Sequence, residues 1–571
     1  MDTASIKSII KLNRDKFLNV YKTLTPEKVI IVWLLIILAG VFLFAGLLQI
    51  NNHYLISIPA RGGYIHEGIL GTPRFINPVL ATSDADKDMV ELIYAGLTKR
   101  DHVGNIIFDV ASSVEESSDN LHYDIKIKPE ARFSDNTHVT TDDFIYTISL
   151  IQNPLIKSPH RVEWEGVTIE KKNDLEFSIS LKKAYPLFMN VLTIGILPKH
   201  VWKNLTEEQI SLSDLNIHAT GSGPFYIKNI TSVSGIPESF TLSENKYYTL
   251  GRPNIQEIVI ASYQNEKYLI QAFQNGEIDR IHGISPEHVT DLKVATSSIR
   301  TSLLPRTFSI FFNPNKTDFL SDKKIRSALN MAINKQAIIN DVLKGYGKVI
   351  ETPFPFDEDQ PGSTYDKEQS KKILSQSKYL KKASSTIEIT LSTTNNDEMR
   401  KIAEMIQKDW EDVGVHTNLA VYEVADLNQS VIKERDFQAL LYGSITNSPA
   451  DLYAFWHSSQ RSYPGLNISN YVSKKLDANL ETIRSNEDEL ARINAYDAVK
   501  AEFSDEVPGI FLFAPSLIYV TRDEINSPLP IYSLDNSSRF NLVYSWYKYT
   551  EKVWPKTYYK KLLTTLENII H

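Results

Sequence analysis

The chain is 571 residues long, 42% hydrophobic and 23% charged, with a formal net charge of −8. That length supports a large core and more than one structural lobe, and the scattered charge, with no basic block, argues against nucleic acid as a partner. Cysteine is absent, which excludes disulfides, thiolate metal sites, a cysteine nucleophile and a lipid carried on an N-terminal cysteine.

Residues 1–28 read as a short, basic, helical segment carrying Lys7, Lys11, Arg14, Lys16, Lys22 and Lys28. The next stretch, Val29 to Ile50, has Gln49 as its only polar side chain. At about 1.5 Å per residue it can cross a hydrocarbon core of about 30 Å. It is longer than the apolar region of a secretory signal, and Gln49-Ile50-Asn51-Asn52-His53 offers no small-residue cleavage pattern. The sequence therefore predicts an uncleaved, single-pass anchor in the cytoplasmic membrane. The basic flank places the N-terminus inside and the remaining chain on the extracytoplasmic face, in a periplasm or at a cell surface. A buried core helix is the competing reading. Residues 51–61 are expected to be a linker.

Beyond the linker, strand-like and helix-like stretches alternate to the end of the chain. Leu121 to Lys128 alternates apolar and polar residues, as a half-buried strand does. Thr140-Thr141-Asp142-Asp143 opens an apolar run and reads as a helix start. After Ser321, Ile325, Ala328, Leu329, Ala332, Ile338 and Val342 share one helical face that ends at Gly345. Met399, Ile402, Ala403, Ile406, Trp410 and Val413 repeat the pattern before Gly414. The mixture predicts an α/β fold.

Catalytic signatures are missing. His66-Glu67 lacks a second histidine at zinc-site spacing, and there is no nucleophile elbow. Gly345-Tyr346-Gly347-Lys348 is no phosphate loop, and Gly221-Ser222-Gly223 lacks the third glycine of a dinucleotide fingerprint. The histidines are scattered, and Asp142-Asp143 is better explained as a helix cap than as a catalytic pair. No catalytic residue, metal site or cofactor is expected.

Five segments, in order, resemble extracellular solute-binding protein family 5, the oligopeptide and dipeptide receptors of ABC importers. They are Glu67–Pro78 with Ser83–Asp86 and Leu92–Leu97; Ala131–Asn136 with Val139–Phe144; Gly221–Phe225; Asn245–Tyr248 with Arg252-Pro253 and Phe273–Asp279; and Phe311–Asn313 with Phe319–Ile333. The second departs from the family pattern by placing Asn136 where glycine is usual. The resemblance covers about residues 62–520. It implies a bilobal periplasmic-binding-protein-like fold of the large, three-part type II form, following an N-terminal transmembrane helix. Lobe I would span 62–308, with an inserted subdomain at about 98–220, lobe II 309–517, and 518–571 would return to lobe I. The chain would cross between lobes near Leu303–Asn313 and Gly509–Tyr519.

The resemblance further implies a monomeric, non-enzymatic receptor that captures a peptide or related small solute in the cleft and delivers it to ABC permease subunits. Its ligand-binding candidates are Tyr442, Ser444, Ile445, Thr446, Asn447, Asn313 and Trp456. Peptide-binding members often carry a tryptophan and, shortly after it, an aspartate that pairs with the ligand's α-ammonium. Aligned on Pro449, Tyr442 falls at the tryptophan and Ile445 at the aspartate. Asp451 takes the aspartate's place under a shifted alignment. The alternatives are a non-peptide or N-terminally blocked solute, or a cell-surface hydrolase or adhesion scaffold on the same fold.

Overall fold

The computed structural model describes residues 25–555, apart from 118, 183–187, 293–297, 358–361, 363, 380–386, 447, 464, 487, 532 and the side chains of residues 50 and 52. The expected basic segment therefore lies almost wholly outside the described residues. The chain divides into two compact units, one running to Ala60 and resuming at Thr550, the other spanning Arg61–Tyr549.

The first unit is built on a helix from Pro26 to Tyr54. Proline suits the first helical turn, where its missing N–H would have had no partner. Among the described residues this is the one helix long and apolar enough to cross a membrane. It extends past the apolar run, and only Leu55 separates it from strand β1 (Ile56–Ala60), which pairs with the chain's last strand, β20 (Tyr549–Val553). This corrects two expectations. Residues 51–61 are the helix end and a paired strand rather than a linker, and β20 leaves lobe I to join β1. Backbone groups of an extended segment need partners, and β20 supplies them to β1 from far along the chain.

The second unit begins with β2 (Tyr64–Leu70), the Asn77-Pro78 turn and helix Asp84–Ile93, capped reciprocally by Ser83 and Asp86. A hairpin of β3 (Thr98–Arg100) and β4 (Ile106–Phe108) follows. Strands β5 (Ala111–Glu116), β6 (His122–Ile127), β7 (Thr168–Lys171) and β8 (Glu176–Ser180) form a separate sheet in the order β5-β6-β8-β7. Helix Thr141–Gln152 packs on it through Phe144, whose ring lies 5.0 Å from that of Phe177. As the sequence suggests, Asp143 caps this helix: its carboxylate accepts from the Thr140 and Lys199 N–H groups. The inserted sheet is distinct, but its buried face shares one apolar core with β2 and the main sheet.

That main sheet continues through β9 (Phe225–Val233), β10 (Ile236–Glu244), β11 (Glu257–Tyr263), β12 (Arg280–His282) and β13 (Ile299–Leu303). A second group comprises β14 (Arg306–Phe312), β15 (Gly347–Val349), β16 (Ile387–Thr394), β17 (Val415–Tyr422) and β18 (Ala439–Ile445), with its own cores. The long strand β19 (Gly509–Thr521) joins the two. Its first residues pair with β14, and from Ser516 it pairs with β13 and then β12. Along the sheet the order is β17-β16-β18-β14-β19-β12-β2-β11-β10-β9, with β13 and β15 pairing with β19 off this path. The connections are Leu304-Pro305, between β13 and β14, and the stretch around Pro515 in β19. Proline cannot donate to a ladder, so both crossings carry a break in the hydrogen-bond pattern, and Leu304 N–H reaches Pro515 O at 3.0 Å.

The helical face read after Ser321 is two helices, Lys323–Ala332 and Lys335–Asp341. Asn334 breaks them apart: its side chain caps the second helix through the Ala337 N–H, and its own N–H goes to Asp409 at 3.0 Å. A side-chain oxygen that competes with backbone acceptors favours such a cap over helix interior.

Several family motifs prove to be packing devices. A Cβ on Gly223 would stand 2.5 Å from the Ile93 carbonyl carbon, and one on Gly221 would stand 2.1 Å from its oxygen. Only glycine permits that approach, and Gly223 N–H donates to Ile93 O at 2.8 Å. Asn136, where glycine is usual, has φ +75°, a left-handed conformation that asparagine tolerates better than most residues.

The C-terminal return is locked by buried charge. Arg539 is fully buried and donates to Glu67 at 2.6 Å and to both Asp88 oxygens at 2.6 and 2.8 Å. Tyr519 donates to Glu67 at 2.7 Å, and His282 Nε2 lies 3.3 Å from Asp88. Burial works to raise Asp88, yet the charges of Arg539 and His282 outweigh it and hold the carboxyl at about 2.

Candidate functional site

A cleft of about 460 Å3 lies between the two groups of strands, within the roughly 300–1,000 Å3 usual for ligand pockets. One wall comes from the Asn77-Pro78 turn, helix Asp84–Ile93, β3, the Asn190–Gly195 segment and the C-terminal Leu534–Ser537 stretch; the other comes from Ile445, Ser448 and Asp451. The wall is mixed. Val90, Val191, Ile194 and Ile445 are apolar, while Lys87, Glu91, Arg100, His160, Glu163, Asp451 and Asp535 bring charge of both signs.

Most of that charge is internally matched. Glu91 pairs with Lys99 at 2.6 Å, His160 with Glu163 at 3.1 Å, and Lys87 approaches Asp535 at 3.9 Å. Arg100 and Asp451 come from opposite walls. Arg100 Nη1 donates to Gly104 O at 3.0 Å, while its buried Nε has no hydrogen-bond partner among the described residues. Burial lowers the Arg100 pKa, and the negative charge of Asp451 works against that shift. Asp451 accepts the Ser448 N–H at 3.1 Å, which fixes the carboxylate at the first turn after β18. A smaller chamber of about 110 Å3, lined by Thr98, Lys99, Asp101 and Asp109, shares Glu91, Arg100, Thr193, Gly195 and Leu534 with the cleft.

The sequence candidates fall in three places. Ile445, 51% exposed at the end of β18, lines the cleft directly. Tyr442, Ser444 and Thr446 lie along the same strand and its exit, but each has a partner within its own wall. Tyr442 donates to Asn428 at 3.2 Å, and burial raises its pKa. Ser444 Oγ is 2.8 Å from Thr307 Oγ1, and the buried Thr446 donates its N–H to Pro305 O at the crossing. Asn447 lies outside the described residues.

Asn313 and Trp456 are corrections: both are buried away from the cleft. Trp456 lies nearly parallel to Phe311, ring centroids 5.7 Å apart, and also packs on Phe503 and Phe511. Its large apolar surface is used in the core. Asn313 donates to Arg435 O at 2.8 Å and accepts the Asn315 N–H, closing the turn after β14.

The residues that sequence reasoning missed are Lys87, Glu91, Arg100, the Asn190–Gly195 segment and Asp535. They come from separate segments, so no local spacing links them. The one available signal was Lys99-Arg100, a basic pair on a short strand just after the family-like Leu92–Leu97 segment. Among the described residues no group of histidine, aspartate and glutamate side chains could hold a metal ion.

Comparison with known proteins agrees with this architecture. Residues 105–464 match the family model described as bacterial extracellular solute-binding proteins, family 5. The chain belongs to this family. It is a solute-binding protein of the ABC-transporter type that acts outside the cytoplasm, and it is a binding protein rather than an enzyme. The oligopeptide-binding protein AppA of Bacillus subtilis is 27% identical over 479 residues, covering 80% of this chain and 87% of AppA. The dipeptide-binding protein of Escherichia coli is 23% identical over 509 residues, covering 82% of this chain and 93% of that protein. The solved structure of B. subtilis AppA with a nonapeptide superposes with a TM-score of 0.65 at 25% identity, covering 86% of this chain and 99% of AppA. The N-terminal apolar helix of this binding protein fits either a signal or an anchor by length and composition.

Proposed function

We propose that this binding protein captures short peptides between its two walls, hands them to an ABC permease, and is held at the outer membrane face by its uncleaved helix. The observation that carries the peptide reading is the cleft itself. It offers apolar surface and charges of both signs, with Arg100 on one wall and Asp451 on the other. A peptide brings apolar side chains, backbone donors and acceptors, and two terminal charges of opposite sign. The oligopeptide and dipeptide relatives support the same ligand class.

The two walls belong to lobes that meet at Leu304-Pro305 and around Pro515, and these crossings serve as the hinge. Few residues are needed to absorb such a rotation. A ligand that touches both walls only when they are close shifts the equilibrium toward closure by its difference in affinity for the two states. Asp451 serves as the ammonium partner in place of the family's usual position, which Ile445 occupies. The anchor reading is supported by the length of the apolar helix, which suffices to cross a hydrocarbon core, and by its continuation through Leu55 into the paired strand β1.

The test is native mass spectrometry of protein purified under mild conditions, followed by titration calorimetry with the peptides found and their N-acetylated forms. Co-purified peptides, tighter binding of the free amines and a smaller radius of gyration on loading are expected. Absence of any peptide ligand, with unchanged scattering across a peptide library, would sink the proposal.

A further inference from the structure

We propose that Tyr54 and Trp554 form a paired aromatic contact with the lipid headgroups of the outer leaflet, so that the two ends of the described chain meet the membrane together. This rests on the anchor reading above. Tyr54 lies four residues beyond Ile50, where the apolar run ends, so along a helix it stands about 6 Å past the hydrocarbon edge. The headgroup layer occupies about that depth on each side of the core. Trp554 arrives from the other end of the sequence, carried by β20 against β1, and stacks on Tyr54 with ring centroids 6.4 Å apart and planes 14° from parallel.

Two independent observations point to lipid as the partner. Tyr54 and Trp554 remain 56% and 46% exposed despite their stack. Rings of this type, apolar in body and polar at one edge, concentrate at membrane interfaces. In addition, β1 and β20 make a sheet of only two strands, and every β20 residue but Val553 is exposed. An isolated two-stranded ribbon is marginal in water. One that rests its aromatic end on a bilayer gains the support it otherwise lacks.

The absence of cysteine makes the test direct. Lys552→Cys in the full chain, carrying a nitroxide label and reconstituted in phosphatidylcholine–phosphatidylglycerol vesicles, is compared with Lys203→Cys, an exposed position in the second unit. Collision with a water-soluble nickel relaxant should fall severalfold at 552 relative to 203, and collision with lipid-partitioned oxygen should rise. Adding Trp554→Ala should restore access to the nickel agent, whereas Trp554→Phe should largely preserve protection. If 552 is as accessible as 203 in protein of full mass, 64.9 kDa, the proposal is wrong. Membrane-extracted protein that lacks its N-terminal residues would instead overturn the anchor reading.

Discussion

Replacing Ile445 with aspartate tests whether this cleft recognises the amino end of a peptide. Ile445 lines the cleft, and the family resemblance places it where an ammonium-binding aspartate is common. A charge-assisted hydrogen bond contributes about 1.5–3 kcal/mol, equivalent to about 10- to 100-fold in affinity. The structure trims that range. Ile445 sits directly opposite Arg306 in the β14–β18 ladder, and cross-strand partners have Cβ atoms about 5 Å apart. Arg306 would share the new carboxylate, so the gain should lie near the lower end, about tenfold. Calorimetry with matched free and N-acetylated peptides checks this, because only the free amine can use the new group. An Arg306→Gln background should enlarge the preference. An unchanged affinity ratio between the two ligand forms in Ile445→Asp would refute the placement.

Four further outcomes follow from the fold. Arg539→Leu strands the carboxylates of Glu67 and Asp88 in the core and should cost about 3–5 kcal/mol in urea unfolding at neutral pH. In the native protein the depressed Asp88 pKa, about 2 against a usual 3.8, gives stability that is fully present above pH 3.8 and lost as pH falls through 2. That amounts to about 2 kcal/mol, and Arg539→Leu should lack this acid-side loss. Trp456→Ala should cost about 3–5 kcal/mol, while Trp456→Phe should leave ligand affinity unchanged; a large affinity change in Trp456→Phe would return that residue to the site. Asn136→Ala should lower stability by about 1–2 kcal/mol in thermal melts, whereas Asn136→Gly should be nearly neutral. Gly223→Ala should destabilise by about 1–3 kcal/mol or more, with ligand binding retained in whatever fraction folds.

The sequence alone determined the class of this protein and many of its elements. The apolar run, the alternation of β6, the Thr140 cap and the face of helix Asp397–Glu411 are local signals, written in neighbouring residues by the period of one element. The ordered motifs identified the family because they encode backbone demands, such as the left-handed turn at Asn136 and the glycine approach to Ile93. Tertiary structure decided what depends on distant neighbours. It broke one expected helix at Asn334, where Asp409 supplies an acceptor from another helix. It paired β1 with β20 across nearly the whole chain and gave the presumed linker a structure. It sent Trp456 into an aromatic core while leaving Ile445, eleven residues earlier, at the cleft. It also set Arg100 facing Asp451. A residue's type records its chemistry, but whether that chemistry meets ligand, solvent or core depends on which surfaces the fold brings against it.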